Sequence, residues 1–201
     1  MPMKSEINRQ SGVLMIEVLI TILIVSIGLL GIAAMFVRSQ VANDEAYQRY
    51  QALDIAHQLS EQLSSNRTEA AKGLTSAYVT GDAAGALPGE SGFSRATACT
   101  TCTSDQMAAQ DVTAFHDTIV GAQKTQAGNR VAALVAARGC VEFLGTVGNL
   151  DDPARYRITV VWQGRQASAA VPAGGSACGG LNLYGADRLL RRLISLEVQV
   201  L

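Results

Sequence analysis

Two sets of residues in this sequence have the types and spacing to do chemistry. The first is Glu17, set near the start of the run QSGVLMIEVLITILIVSIGLLGIAAMFV at residues 10–37. A charged side chain in hydrocarbon costs on the order of 2.5–3.5 kcal/mol on insertion scales, so a carboxylate there needs a partner or a berth in the headgroup layer. The second set is the four cysteines Cys99, Cys102, Cys140 and Cys178. Cys99-Thr-Thr-Cys102 has the CxxC spacing of thiol oxidoreductases, which place the pair at a helix N-terminus after a strand. A plausible helix follows here, but no apolar strand precedes the pair and no βαβ pattern surrounds it, so structural disulfides are the favoured reading.

Other chemistries find less support. Zinc would want four ligands at finger-like spacing, and Cys140 and Cys178 make no second close pair. The two histidines, His57 and His116, stand far apart, and His116 beside Asp117 reads as part of an exposed polar helix face. With no nucleophile elbow, phosphate loop or paired-carboxylate motif, no catalytic residue is nominated, and neither enzyme activity, metal nor cofactor is expected. Four thiols allow three pairings. Cys140 with Cys178 would tie the first expected strand to the loop before the last, leaving Cys99 with Cys102; crossed pairing of the two sets stays open.

The chain of 201 residues suffices for one globular domain plus a terminal element. Its 16 basic and 17 acidic residues give a net charge of −1 with no Lys/Arg cluster, so nucleic acid is not an expected partner. Aromatics at 5% and 19 glycines imply a modest core and much loop. All the cysteines lie beyond the apolar run, and an even count on one side of a membrane suits an oxidising compartment.

The elements that must position these groups follow from periodicity. Residues 18–37 carry no ionisable group; as a helix they would measure roughly 30 Å, the thickness of a bilayer's hydrocarbon core. Lys4 and Arg9 precede the run, whereas Arg38 is soon followed by Asp44 and Glu45, which predicts a cytoplasmic N-terminus with the bulk of the chain across the membrane. A secretory signal has a shorter apolar region followed by a small-residue cleavage site, and MFVRSQ makes a poor one. No Pro or Gly interrupts residues 38–72, and Val41, Leu53, Ala56, Leu59 and Leu63 recur at near-helical spacing, predicting one helix continuing to about Asn66 with an amphipathic distal half. Residues 72–103, rich in Gly, Ala, Ser and Thr, read as an irregular connector. A second helix is expected over residues 104–123, capped by Thr103 or Ser104, with Met107, Val112, Phe115, Ile119 and Val120 on one face. Strands are expected at 140–144, 156–162 and 189–201; in the second, Tyr156, Ile158, Val160 and Trp162 alternate with Arg157, Thr159 and Val161 as in a half-buried strand. The expected class is α+β, a long N-terminal helix packed on an antiparallel meander.

The stretch SGVLMIE resembles the class III leader junction of type IV prepilins: a short charged leader, a glycine, a glutamate five residues after it, then about twenty apolar residues. The resemblance implies cleavage by a prepilin peptidase between Gly12 and Val13, N-methylation of Val13, and a role for Glu17 in setting subunit register. Val13 and Leu14 stand where the family usually has Phe or Met and then Thr or Ser. CTSDQMAAQDVTAFHDTI, YRITVVW and RRLISLEVQV look like minor pilins of the PilV type, and the order of helix, connector and cysteine-bearing sheet resembles the pilin fold. The implied organisation is a leader (1–12), a transmembrane half-helix (13–37), an amphipathic half-helix (38–66) and a periplasmic domain (67–201). The implied role is assembly of a pilus for adhesion and twitching motility. Its implied partners are other minor pilins, the major pilin, the inner-membrane platform protein, the peptidase and a tip adhesin. A type II secretion pseudopilin shares the leader and helix; a membrane-anchored periplasmic thiol oxidoreductase using Cys99 and Cys102, and a single-pass protein whose leader stays uncut, are the rivals from other classes.

Overall fold

A computed structural model of the chain describes residues 13–80, 86–121, 125–126, 129–130, 134–146, 153–168, 176–180, 183–185 and 189–200. The expected leader, residues 1–12, lies outside them. The chain divides into two compact units, Met1–Asp44 and Glu45–Leu201, and the boundary falls within a single helix, α1 (Val13–Ser65).

In the first unit the side chains of residues 15–40 are all exposed within the chain. The only hydroxyls in the apolar run satisfy themselves on their own helix: Thr21 Oγ1 donates to Val18 O at 2.9 Å and Ser26 Oγ to Ile22 O at 2.6 Å. Neither needs an outside partner in an apolar surrounding.

The second unit is α+β, as its patterns predict. After α1 come α2 (Arg67–Ala70), a 3-10 turn at Gly73–Thr75, α3 (Ser104–Ile119), a two-stranded ladder of β1 (Thr125–Gln126) with β2 (Asn129–Arg130), and then β3 (Arg138–Thr146), β4 (Ala154–Gln163) and β5 (Arg191–Val200). The last three form an antiparallel meander in the order β3-β4-β5, with Tyr156 opposite Phe143 on one side and Val198 on the other. The described residues between 72 and 103 are mostly irregular, tied to the sheet by a bridge from Thr80 to Val141.

Core packing refines the expected faces. The buried stripe of α1 is Ala52, Ile55, Ala56, Leu59 and Leu63, whereas Leu53, placed on that stripe from spacing alone, is 37% exposed. At 100° per residue Leu53 lies about 100° from Ala52 and about 80–120° from Leu63 and Leu59, on the flank of the stripe. On α3 the buried residues are Ala108, Val112, Phe115, His116 and Ile119, and Met107 faces outward. Thr103 caps α3 in a capping box with Gln106, whose Oε1 accepts the Thr103 N–H at 3.1 Å. The helix stops at Ile119, short of the expected Gln123; Gly121 takes a left-handed φ of 67° and its N–H bonds Thr118 O at 3.1 Å. These two helices and the inner face of the sheet (Val141, Tyr156, Ile158, Val160, Trp162) make one hydrophobic cluster. Gly139 fits this interface because a Cβ there would come within 2.2 Å of the Phe115 ring.

The strand at 154–163 is not half-buried as its alternation suggested. Thr159 and Val161 are as inaccessible as Ile158 and Val160. The far face of the sheet carries a second, smaller cluster in which Val161 and Cys140 meet Cys178, Tyr184 and Leu87. Sequence periodicity sees a strand's polar neighbours but not the segment that later folds over them.

Candidate functional site: the apolar helix, its glutamate and the cysteines

Of the residues implicated at the N-terminus, Gly12 lies outside the described residues, Val13 is the first residue of α1, and Glu17 is exposed in its second turn. Four residues at 1.5 Å rise put the two backbones about 6 Å apart along the axis, on one helix face. The positive end of the helix dipole also favours a carboxylate near this end. The segment that follows is long and apolar enough to cross a membrane, and none of its most apolar stretch is buried inside the chain.

The cysteines pair as Cys99–Cys102 and Cys140–Cys178, with Cα separations of 5.4 and 5.7 Å. Crossed pairing is therefore not what the fold adopts. Cys140–Cys178 is fully buried and fastens the far-face cluster to β3. Arg191, itself buried, donates through Nη2 to Ser176 O at 2.8 Å and Cys178 O at 2.7 Å, which holds the backbone on the other side of this bridge. Cys99–Cys102 is half-buried and precedes α3, and residues 93–99 ahead of it form no strand. The βαβ setting of a thioredoxin-like pair is thus lacking around it.

Sequence reasoning missed the buried polar groups that organise the junction of α1, α2 and α3. Glu69 is 1% exposed yet takes three donors: the Lys72 ammonium, Ala77 N–H at 2.8 Å and Ser104 Oγ at 3.2 Å, the first of these also forming an ion pair with it. Burial pushes its pKa up, but hydrogen bonds from Lys72, Ala77 and Ser104 outweigh that and hold it below the ordinary Glu value. Tyr78 OH donates to Asp111 Oδ2 at 2.5 Å, and burial raises the pKa of both groups. Tyr156 OH donates to Ala70 O at 2.6 Å, and Tyr184 OH to Ala136 O at 3.0 Å; burial pushes Tyr184 up to about 12. Apart from Lys72 and Ala77, which lie 3 and 8 positions from Glu69, these partners join segments 33 to 86 positions apart, a scale that local patterns do not sample.

His116 corrects the exposed polar face assigned to it. It is buried, stacked on Phe93 at 4.4 Å between ring centroids, and its Nδ1 accepts the Gly89 N–H at 2.9 Å. That acceptor role places the ring proton on Nε2. Beside it a cleft of about 350 Å³ is lined by Glu90, Ser91, Phe93 and Arg95, and Arg95 is engaged by Asp117 at 2.6 Å. Among the described residues no group of three or more His, Cys, Asp or Glu side chains could hold a metal ion.

Comparison of the chain with protein-family models, with curated proteins and with solved structures finds no match in any of the three.

Proposed function

We propose that this chain is a minor type IV pilin, a structural subunit cleaved between Gly12 and Val13, held in the inner membrane by the first part of α1 and delivered into a pilus or its initiating complex. The observation that carries the reading is the coincidence in one helix of Val13 at its start, Glu17 one turn on, an uncharged span, and a distal half whose apolar stripe is buried in an α+β unit.

Cleavage supplies what Glu17 lacks. It leaves an ammonium on Val13, one helical turn from the carboxylate, where low dielectric strengthens attraction between opposite charges several-fold over water. Within one subunit the pair lowers the cost of keeping a carboxylate at the edge of the hydrocarbon. Between subunits, the same carboxylate meeting a neighbour's ammonium sets an axial register, because any other offset buries unpaired charge. The partners under this reading are the major pilin, other minor pilins, the platform protein, the prepilin peptidase and a tip adhesin. The N-terminus is cytoplasmic and the C-terminal unit periplasmic, then at the cell surface.

The deciding experiment compares the N-terminal sequence and intact mass of the membrane-extracted protein from cells with and without prepilin peptidase. A peptidase-dependent form beginning at Val13, with or without a methyl group, supports the reading; a chain that begins at Met1 in both strains overturns it. Co-purification with pilus rather than secretion-system subunits separates the pilin from a pseudopilin.

A further inference from the structure

The two disulfides sit in opposite environments. Cys140 and Cys178 are 4% and 2% exposed, inside the far-face cluster. Cys99 and Cys102 are half-buried, and the two residues between them, Thr100 and Thr101, are exposed. An entering thiolate can reach the second pair in the folded state, but must wait for local opening to reach the first.

The surroundings of the accessible pair are also asymmetric. Gln110, two turns into α3, donates through Nε2 to Thr97 O at 3.2 Å and points the same nitrogen at Cys99 Sγ, 3.1 Å away. A carbonyl can only accept, so the Thr97 contact fixes which end of the amide is the donor. Cys102 Sγ faces acceptors instead: Cys99 O at 3.5 Å and Gln110 Oε1 at 3.9 Å. A thiolate is favoured at Cys99, where an N–H meets it, and a protonated thiol at Cys102, where oxygens do.

We propose that Cys99–Cys102 is a thiol–disulfide exchange site open to an external dithiol, with Cys102 the sulfur attacked and Cys99 the leaving group. One thiolate of the dithiol attacks Cys102 Sγ. The Cys99–Cys102 S–S bond breaks, and its electron pair stays on Cys99 Sγ beside the Gln110 N–H. The dithiol's second thiolate then attacks its own sulfur in the mixed disulfide, and the Cys102 sulfur leaves and takes a proton. The chain gains two electrons and, from solvent at Cys102, one proton, while Cys99 remains a thiolate and the dithiol becomes a disulfide. Gln110 acts as a positioning residue, through the leaving sulfur. This inference is independent of the filament reading, since it concerns a pair and a helix wholly within the second unit.

The test uses the full chain in detergent micelles, exposed without oxygen to a graded series of dithiothreitol, quenched with acid, alkylated and mapped by peptide mass spectrometry. Cys99 and Cys102 should become labelled at a dithiol concentration about tenfold or more below that needed for Cys140 and Cys178. Reduction of both pairs together, or of Cys140–Cys178 first, overturns the proposal. Gln110→Glu places a carboxylate where the amide donor stood, and should slow reduction of Cys99–Cys102 about tenfold while leaving the order of the two pairs unchanged. Parent-like kinetics in that variant overturn the assignment of Cys99 as leaving group.

Discussion

Removing Cys140–Cys178 should cost the second unit far more than removing Cys99–Cys102, and the difference can be worked from the sequence they span. In the chain-entropy picture a cross-link stabilises by restricting the unfolded ensemble, more for longer loops. The buried bridge spans a separation of 38 residues and the accessible one a separation of 3. The loop term then gives about 3.9 kcal/mol for the first and about 1.6 kcal/mol for the second. Two double variants, Cys140→Ser with Cys178→Ser and Cys99→Ser with Cys102→Ser, compared by thermal unfolding in the same detergent, separate these values. For a unit of this size about 1 kcal/mol moves Tm by roughly 2–4 °C, so the buried-pair variant should melt about 8–15 °C below the parent and the other about 3–6 °C below. Burying two serine hydroxyls among Val161, Tyr184 and Leu87 adds to the first figure, not the second. Equal losses, or a greater loss for Cys99 and Cys102, would refute the view that Cys140–Cys178 is the staple of the far-face cluster.

Other consequences follow from the same packing. Glu69→Gln should destabilise the unit by about 1–3 kcal/mol at neutral pH. Because the folded-state pKa of Glu69 is lowered, its contribution is present above the ordinary carboxylate value and is lost as pH falls through the lower folded value, so the gap between variant and parent should close in acid denaturant titrations. Asp111→Asn should behave oppositely: burial raises that carboxyl, its ionised form is disfavoured by the fold, and the variant should be no less stable than the parent at neutral pH by the same titration. Tyr184, pushed up to about 12, favours folding fully below its unfolded value near 10 and loses that contribution between about 10 and 12, which an alkaline melt of Tyr184→Phe against the parent should show as a weaker pH dependence. Gly139→Ala meets Phe115 at 2.2 Å and should cost about 1–3 kcal/mol in chemical unfolding. Glu17→Ala should insert and be cleaved but enter filaments poorly, read by immunoblot of sheared pili; normal incorporation removes the role given to the carboxylate.

The sequence made the long elements legible and left the short-range surprises to tertiary structure. Uninterrupted helical periodicity located α1 to within a residue of its end, and the alternation in YRITVVW located β4, because both patterns are set by local geometry. Leu53 shows the limit of that reasoning: a stripe of mixed three- and four-residue steps admits two faces about 100° apart, and only the partner surface decides between them. Thr159, Val161 and His116 were misjudged for a related reason. Each is buried under a distant segment: Cys178 lies against Thr159, Cys178 and Tyr184 against Val161, and the turn at Gly89 against His116. Glu69 offered only its i,i+3 spacing to Lys72; its burial and its donors Ala77 and Ser104, 8 and 35 positions on, had no local signal.

The two halves of α1 differ in what their apolar surface has to meet, and that difference bears on why a carboxylate would be kept near its start. Ala52, Ile55, Ala56, Leu59 and Leu63 find their partners inside the chain. Residues 15–37 find none among the described residues: Ile20, Leu23, Ile27 and Leu30, for example, are 52–70% exposed, far more contiguous apolar surface than a monomer in water tolerates. Lipid tails and the apolar helices of other subunits would satisfy those side chains almost equally well, since hydrocarbon is as apolar as Leu. Hydrophobicity alone then gives little preference for leaving the bilayer and none for one axial offset over another. Under the filament reading, direction and register have to come from the one group in this stretch that distinguishes its surroundings sharply, a carboxylate in search of an ammonium. Glu17→Gln, which keeps size and hydrogen-bonding capacity but removes the charge, should therefore fail in incorporation nearly as badly as Glu17→Ala; if Gln incorporates like Glu, shape or hydrogen bonding sets the register and the charge does not.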